Sequence, residues 1–273
     1  MPINPSDFTF IQQLVARVSG IVVEAGQEYL IESRLAPLAD ELGLGSIGDL
    51  IAQIRSDPSE ELRRRAVEAM TTHETFFFRD DSPFEALKSE VLPQILQRRA
   101  GERRLSIWSC ACSTGQELYS IALLLREYVP QVMNWKLELV GTDFSQSALE
   151  RARQGRYSQL EVDRGLPAIF LRKYFEKQGE EWQLAAEIRQ RVQFRSLNLA
   201  HALPSMPPFD VILLRNVMIY FDVPTKRRIL GELQRLLKPD GYLMLGTAET
   251  TLNLDPAYEQ VLHGKSAFYR LRS

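Results

Sequence analysis

Apolar residues in the first seventy positions recur every three or four residues, the period of helices that bury one face. Phe8, Ile11, Val15 and Val18 predict a first helix, capped by Ser6 or Asp7 and ended by Gly20. Ile31, Leu35, Leu38 and Leu42 predict a second, stopped at Gly43 and kinked by Pro37. Ile47, Leu50, Ile51 and Ile54 predict a third, capped by Ser46 and broken by Asp57-Pro58, and Leu62, Ala66, Val67 and Met70 a fourth. Residues 1–70 therefore read as a small helical domain.

The pattern then changes. A link over 71–82 carries Phe76, Phe77 and Phe78, which cannot share one face of a helix or strand and must pack in different directions. Arg79 follows them, and an arginine beside such a cluster needs a partner. A helix over 83–97 (Phe84, Leu87, Val91, Ile95) leads into alternating strand and helix patterns. Strands are predicted over 105–108, 137–140, 192–198, 209–214 and 242–246. Helices are predicted over 117–128, after Ser145, and over 224–237, where Pro239-Asp240-Gly241 stops the last. Such alternation implies a doubly wound, mostly parallel α/β sheet with helices on both faces. Two tail strands, 260–262 and 267–271, are joined by Gly264-Lys265-Ser266 and predict an antiparallel edge hairpin. Segment 156–191 interrupts the rhythm, and its apolar runs on either side of Gly179 predict a small β insertion. Residues 83–273 form the α/β domain.

Composition narrows the setting without changing this architecture. A chain of 273 residues with 45% hydrophobic and 25% charged residues is an ordinary globular composition for one large domain or two small ones. The apolar runs are too short to span a bilayer, and the first twenty residues lack the pattern of a secretory signal, which predicts a cytoplasmic protein without membrane insertion. Cys110 and Cys112, two apart in one turn, cannot easily bridge each other, and no metal-ligand cluster stands out. Residues 1–62 hold ten acidic and three basic side chains, a balance of −7 within the total of −2. That acidic front end argues against nucleic acid as the main partner.

The chemistry collects where strands end, since an open parallel sheet binds ligands beyond the carboxyl ends of its strands. The stretch Leu105 to Ile121 reads as strand, small-residue turn and helix, with Cys110 to Gly115 leaving room for a ligand at a helix N-terminus. Glu117, Asp143, Asn198 and Arg215-Asn216 mark this and the other strand ends. An acidic residue at the end of the second strand suits the two hydroxyls of a ribose, and Asp143 stands there. The turn has neither G-x-G-x-x-G nor a Walker lysine. A nucleoside without phosphates fits better than a pyrophosphate, and S-adenosylmethionine is such a ligand.

At this point the chain resembles the chemotaxis receptor glutamate methyltransferases, the CheR family. The motifs that carry the resemblance are TTHETFFFRD at 71–80, IWSCACSTGQELYSIA at 107–122, GTDFS at 141–145, FDVILLRNVMIYF at 209–221 and LKPDGYLMLGTAE at 237–249. The resemblance implies S-adenosylmethionine as cofactor, S-adenosylhomocysteine as product and no metal. It implies a cofactor site at His73, Thr75, Arg79, Glu117, Asp143, Asn198, Leu199, Arg215 and Asn216, with His73 standing where the family usually has asparagine. It implies methyl ester formation on glutamates in the cytoplasmic helices of chemoreceptors, by a protein read here as a monomer. Arg79 and Tyr220 are the candidates for orienting the glutamate. A basic second helix faces the receptor in the family. Here Pro37, Asp40 and Glu41 occupy that stretch, so either the partner is less acidic or docking uses Arg34 with Arg63-Arg64-Arg65. The short hairpin at Gly179 predicts no grip on a receptor tether peptide. The alternative reading is a cofactor-binding regulatory or adaptor module without turnover.

Overall fold

The computed structural model describes residues 3–56 and 60–272. The chain divides into two compact units. One comprises residues up to Thr72 with 198–201 and 220–225, and the other comprises 73–197, 202–219 and 226 onward.

The first unit is built on four helices, α1 (Pro5–Ser19), α2 (Glu28–Glu41), α3 (Ile47–Ser56) and α4 (Glu60–Ala69). The cap of α1 is Asn4 rather than Ser6 or Asp7. Its side-chain oxygen accepts from the Asp7 N–H at 2.9 Å, and Pro5 occupies a first-turn position where no N–H is needed. Gly20 closes α1 with φ 71°, and α2 runs on through Pro37. Ser46 caps α3 as expected, its Oγ accepting from the Asp49 N–H at 3.1 Å. The expected break at Asp57-Pro58 lies outside the described residues. Ile11, Val15, Ile31, Leu35, Leu50, Ile51, Ile54 and Val67 are fully buried and form the core of this unit. All four arginines of the expected docking set are engaged internally, Arg63 through its Nε to the Ile54 carbonyl at 3.3 Å. Arg34 donates to the carbonyls of Met70 and Thr71 at 2.5 and 2.7 Å, Arg64 lies between Glu61 and Glu68, and Arg65 pairs with Glu41. Ile21 bridges Phe221, and Asn198 Nδ2 donates to the Val18 carbonyl at 2.6 Å.

The second unit opens with α5 (Ser82–Ala86), a π-helical turn (Leu87–Val91) and α6 (Leu92–Arg99). Pro93 sits at the start of α6, and its missing N–H accounts for the widened turn before it. There follow β1 (Arg104–Cys110), α7 (Gln116–Tyr128), β2 (Lys136–Asp143) and α8 (Gln146–Gln154). The insertion comprises β3 (Arg156–Ser158), α9 (Gln159–Asp163), α10 (Ala168–Tyr174), β4 (Phe175–Gln178), β5 (Glu181–Leu184) and α11 (Ala186–Arg189). The main sheet continues with β6 (Val192–Ser196), β7 (Phe209–Leu214), α12 (Val223–Leu233), β8 (Leu237–Leu245), β9 (Tyr258–His263) and β10 (Ser266–Leu271).

The seven-stranded sheet has the order β6-β2-β1-β7-β8-β10-β9, and the insertion forms its own three-stranded sheet, β3-β5-β4. The first five strands pair in parallel, while β10 runs antiparallel to both β8 and β9. From β1 the chain builds outward to β2 and β6, then crosses back to β7 and β8. The strand order therefore reverses between β1 and β7, the place where such sheets open a crevice for ligands.

The largest departure from the expected boundaries is at the start of β8. The predicted last helix stops at Leu233, and β8 begins at Leu237, not at 242. Phe209 pairs with Leu237, and a register shift between Phe209 and Val211 absorbs Pro239-Asp240-Gly241. That irregularity supports a buried ion cluster. Asp210, fully buried, accepts from Arg99 Nε at 2.7 Å, Lys238 Nζ at 2.9 Å and the Ser106 N–H at 2.9 Å, while Arg99 also holds Asp240. Burial pushes the Asp240 carboxyl up, but the hydrogen bond and charge of Arg99 prevail and hold it below the usual carboxylate range.

The three phenylalanines point in three directions, as required. Phe77 packs edge-on against Tyr157 and Phe175 of the insertion at 5.0 and 5.6 Å, and Phe78 meets Phe84 and Phe170. Phe76 lies against the guanidinium groups of Arg164 and Arg79, at 4.2 and 5.4 Å. Among the described residues, no helix is long and apolar enough to cross a membrane.

Candidate active site

The turn that follows β1 is unusually shaped. Ala111, Ser113 and Gly115 all take positive φ, at 55°, 51° and 93°. Glycine adopts this freely, whereas the other two hold it only because their surroundings over-determine it. The Cys112 N–H donates to the Thr142 carbonyl at 2.9 Å, which pins the turn to the end of β2. The Ser113 N–H then donates to Asp143 Oδ2 at 2.8 Å, and the Ser145 N–H to Oδ1 at 2.9 Å. Asp143 is buried and held in place from both sides.

Segment 73–80 is strapped to the same turn. Ser113 Oγ donates to the His73 carbonyl at 3.0 Å, and the Phe78 N–H donates to Ser120 Oγ at 2.9 Å. Arg79 finds the partner its sequence position demands: its Nη1 donates to the Glu74 carbonyl at 2.8 Å and its guanidinium faces Phe76. Thr75 is half-buried within this strap.

The central feature is a chain of buried polar contacts around Arg215, whose side chain is 1% exposed. Its Nη1 donates to Glu117 Oε2 at 3.0 Å, and its Nη2 to Asp80 Oδ2 and the Arg79 carbonyl, each at 2.8 Å. Ser109 Oγ donates to the other Glu117 oxygen at 2.7 Å. Arg215 Nε is buried with no hydrogen-bond partner among the described residues. Glu117 thus comes from the start of α7, Asp143 from the end of β2 and Arg215 from the end of β7, on either side of the crevice. Next to Arg215, Asn216 has φ 56° and donates its N–H to Glu249 Oε2 at 2.7 Å. A groove of about 380 Å³ opens beside this cluster, with Asp80, Gly246, Glu249 and Lys265 among its lining residues.

The electrostatics are distinctive. Two carboxylates, Asp80 and Glu117, hold the Arg215 guanidinium, and a third, Asp143, is fixed by the amides of Ser113 and Ser145, so these side chains together carry a net negative charge. Burial, with the Asp143 and Glu117 charges adding to it, pushes the Cys112 thiol up; burial and Glu117 do the same to Cys110. Both thiols stay protonated and unreactive. A site of this charge rejects phosphates and favours a cationic ligand.

Of the residues expected from sequence, Glu117, Asp143, Arg215 and Asn216 gather at the strand ends, with His73, Thr75 and Arg79 on the strap. Asn198, Leu199 and Tyr220 fall in the helical unit, where Asn198 Oδ1 also accepts from the Ala200 N–H at 2.9 Å and the Tyr220 carbonyl accepts from the Val22 N–H. Sequence reasoning missed Asp80, Ser109 and Glu249, though each lies inside a motif it singled out. Among the described residues, no group of three or more His, Cys, Asp or Glu side chains is placed to hold a metal ion.

Comparison with protein-family models matches residues 73–267 to "CheR methyltransferase, SAM binding domain" and residues 6–71 to "CheR methyltransferase, all-alpha domain". The chain belongs to the CheR methyltransferase family. A relative in Pseudomonas aeruginosa, chemotaxis protein methyltransferase 1, is 39% identical over 271 residues, 98% of each chain. Chemotaxis protein methyltransferase Cher2 of Pseudomonas putida is 37% identical over 97% of this chain and 98% of its own. The chemotaxis protein methyltransferase of Vibrio parahaemolyticus is 35% identical over 99% of this chain and 98% of its own. As a CheR methyltransferase the chain uses S-adenosylmethionine, and the residues at the crevice fit that cofactor. S-adenosylmethionine carries a sulfonium and an ammonium, which suit a carboxylate-rich lining, and its ribose offers hydroxyls to a fixed carboxylate. It has no phosphate, and the turn has no lysine or arginine to meet one.

Proposed function

We propose that this methyltransferase esterifies glutamate side chains in the cytoplasmic helices of chemoreceptors. The observation that carries the reading is the Ser109–Glu117–Arg215–Asp80 chain, buried except at Asp80, at the crevice between β1 and β7. In our reading the helical domain spans 1–70, the strap 71–82 contributes to the site, and 83–273 binds the cofactor.

Asp143, oriented by the Ser113 and Ser145 amides at the end of β2, is the carboxylate we assign to the ribose hydroxyls. Glu117, braced by Ser109 and Arg215, presents its carboxylate to the cofactor's cationic end. Arg215, Asn216, His73, Thr75, Arg79, Asn198 and Leu199 are the further residues we assign to the cofactor. When bound, S-adenosylmethionine supplies a methyl group activated by the adjacent sulfonium. The acceptor needs no base: a glutamate of pKa ~4.3 is more than ~99% ionised at neutral pH and is already nucleophilic. No histidine is required for proton transfer, and His263 is bound instead to Glu90 at 3.0 Å and packed edge-on against Tyr242 and Phe268. Arg79 and Tyr220 are our candidates for orienting the glutamate, so that rate enhancement rests on alignment and desolvation.

The engagement of Arg34, Arg64 and Arg65 favours a docking face on the receptor that is less acidic than the methylation helices themselves. The β4–β5 hairpin turns through Gly179-Glu180 alone, which supports docking without a tether peptide. A pull-down that captures the chain on a receptor C-terminal tether peptide contradicts this.

Incubation with labelled S-adenosylmethionine and receptor cytoplasmic fragments tests the reading. Transfer should appear on glutamates, at a rate flat from about pH 6 to 8.5 because the acceptor is fully ionised there. A tenfold rise per pH unit in that range means that a general base operates and overturns this mechanism.

A further inference from the structure

Glu249 lies four residues past the end of β8, yet its carboxylate reaches the turn that follows the neighbouring strand, β7. The two strands run parallel with Leu214 opposite Leu245, and the chain leaves β8 through Gly246. The Glu249 N–H donates back to the Gly246 carbonyl at 3.0 Å, which folds the side chain inward. Oε2 then accepts from the Gly246 and Asn216 amides at 2.8 and 2.7 Å, and Oε1 from the Val217 and Met218 amides at 2.9 and 2.7 Å. A carboxylate has about four lone-pair directions. Here all four are filled by backbone N–H groups, three of them consecutive.

Two further features show how tightly this turn is specified. Asn216 takes φ 56°, in the left-handed region that asparagine enters more readily than other non-glycine residues, so the residue type itself suits this turn. Gly246 leaves no room for a side chain: a Cβ there would lie 2.8 Å from both Asn216 N and Nδ2, and 2.7 Å from Glu249 Oε2. Arg215, immediately before, is fixed through its side chain by Glu117 and Asp80, whereas residues 216–218 are fixed through their backbone by Glu249.

We propose that Glu249 is a positioning residue for the cofactor site, fixing the turn after β7 so that the Asn216 side chain is presented to S-adenosylmethionine. This rests on the reading of Asn216 as a cofactor residue given above. A carboxylate that merely capped a turn would contribute stability and leave affinity unchanged. A positioning carboxylate is coupled to the residue it positions.

The test uses the full chain as wild type, Glu249→Gln, Asn216→Ala and the double variant, with S-adenosylhomocysteine affinity measured by calorimetry and amide exchange followed over 214–219. Glutamine keeps the shape but turns an NH2 toward backbone donors. Glu249→Gln should accelerate exchange at 216–218 and weaken binding by up to about tenfold, the worth of the hydrogen bond that a misplaced Asn216 side chain loses. Asn216→Ala should also weaken binding, and the double variant should be no weaker than Asn216→Ala beyond a few-fold. If Asn216→Ala weakens binding while Glu249→Gln does not, or if the two losses multiply in full, the inference is overturned although the cofactor site stands. Unchanged exchange at 216–218 in Glu249→Gln overturns it as well. If Asn216→Ala binds as tightly as wild type, the reading of Asn216 is wrong and the inference falls with it.

Discussion

Replacing Glu117 by glutamine separates two roles that its position combines. The carboxylate neutralises Arg215, whose side chain is 1% exposed, and accepts from Ser109 Oγ at 2.7 Å. Removing one partner of a buried ion pair costs roughly 3–5 kcal/mol when the other charge is left alone. Arg215 is not left alone, because Asp80 still accepts from it at 2.8 Å. Glutamine also preserves one oxygen acceptor, so the loss is closer to one charged hydrogen bond, about 2–3 kcal/mol. In a domain of this size each kcal/mol shifts Tm by about 2–4 °C, giving an expected drop of about 4–12 °C. Binding should suffer separately, since the cofactor loses a charged partner worth ~1.5–3 kcal/mol, or about 10- to 150-fold in Kd. Differential scanning calorimetry and titration with S-adenosylhomocysteine read the two effects independently. A variant that binds as tightly as wild type refutes the placement of the cofactor's cationic end at Glu117. A variant that loses binding with Tm unchanged refutes the account of the buried chain around Arg215.

Asp210→Asn should lower Tm by several degrees, because it leaves Arg99 and Lys238 short of a buried partner, while S-adenosylhomocysteine affinity stays within twofold; a large affinity loss would tie this cluster to the site. Asp240, whose carboxyl is held below its usual range by Arg99 despite burial, contributes stability that is present above its unfolded pKa of about 3.9 and is lost as pH falls through its lower folded value. Acid titration of Tm should therefore show a smaller fall below about pH 4 in Asp240→Asn than in wild type, and identical curves would contradict that assignment. Cys110 and Cys112, buried with thiols pushed up, should resist a thiol reagent at pH 8 until the chain unfolds; rapid labelling of the native protein would mean that the turn after β1 opens.

The fold was largely legible because its signals are local. Apolar periodicity marks the four helices of the first unit, and short apolar runs mark the parallel strands. Polar residues at strand ends pick out Glu117, Asp143 and Arg215 by their position in the chain alone. What escaped is what depends on strands meeting in space. Glu249 sits in a recognisable motif, but its role follows from β8 lying beside β7, which no local pattern states. Asp80 likewise gains its meaning from Arg215, 135 residues away. The early start of β8 was missed because Pro239-Asp240-Gly241 reads as a helix stop, whereas here it is a bulge stabilised by Arg99 and Asp210. The cap at Asn4 was missed because Ser6 and Asp7 are equally good capping residues, and only the placement of Pro5 in the first turn decides among them.

The central claim is ester formation on glutamate, and the chemical lability of the transferred label tests it most directly. After incubation of the full chain with methyl-labelled S-adenosylmethionine and chemoreceptor-containing membranes, the receptor fraction is treated with mild alkali and volatile label is collected. The account predicts receptor-bound label released as methanol, and its loss when the receptor's methyl-accepting glutamates are replaced by alanine. Alkali-stable label would indicate methylation at nitrogen or a hydroxyl. Tight S-adenosylhomocysteine binding with no receptor label at all would point to a cofactor-binding module without turnover, and either result would contradict the account.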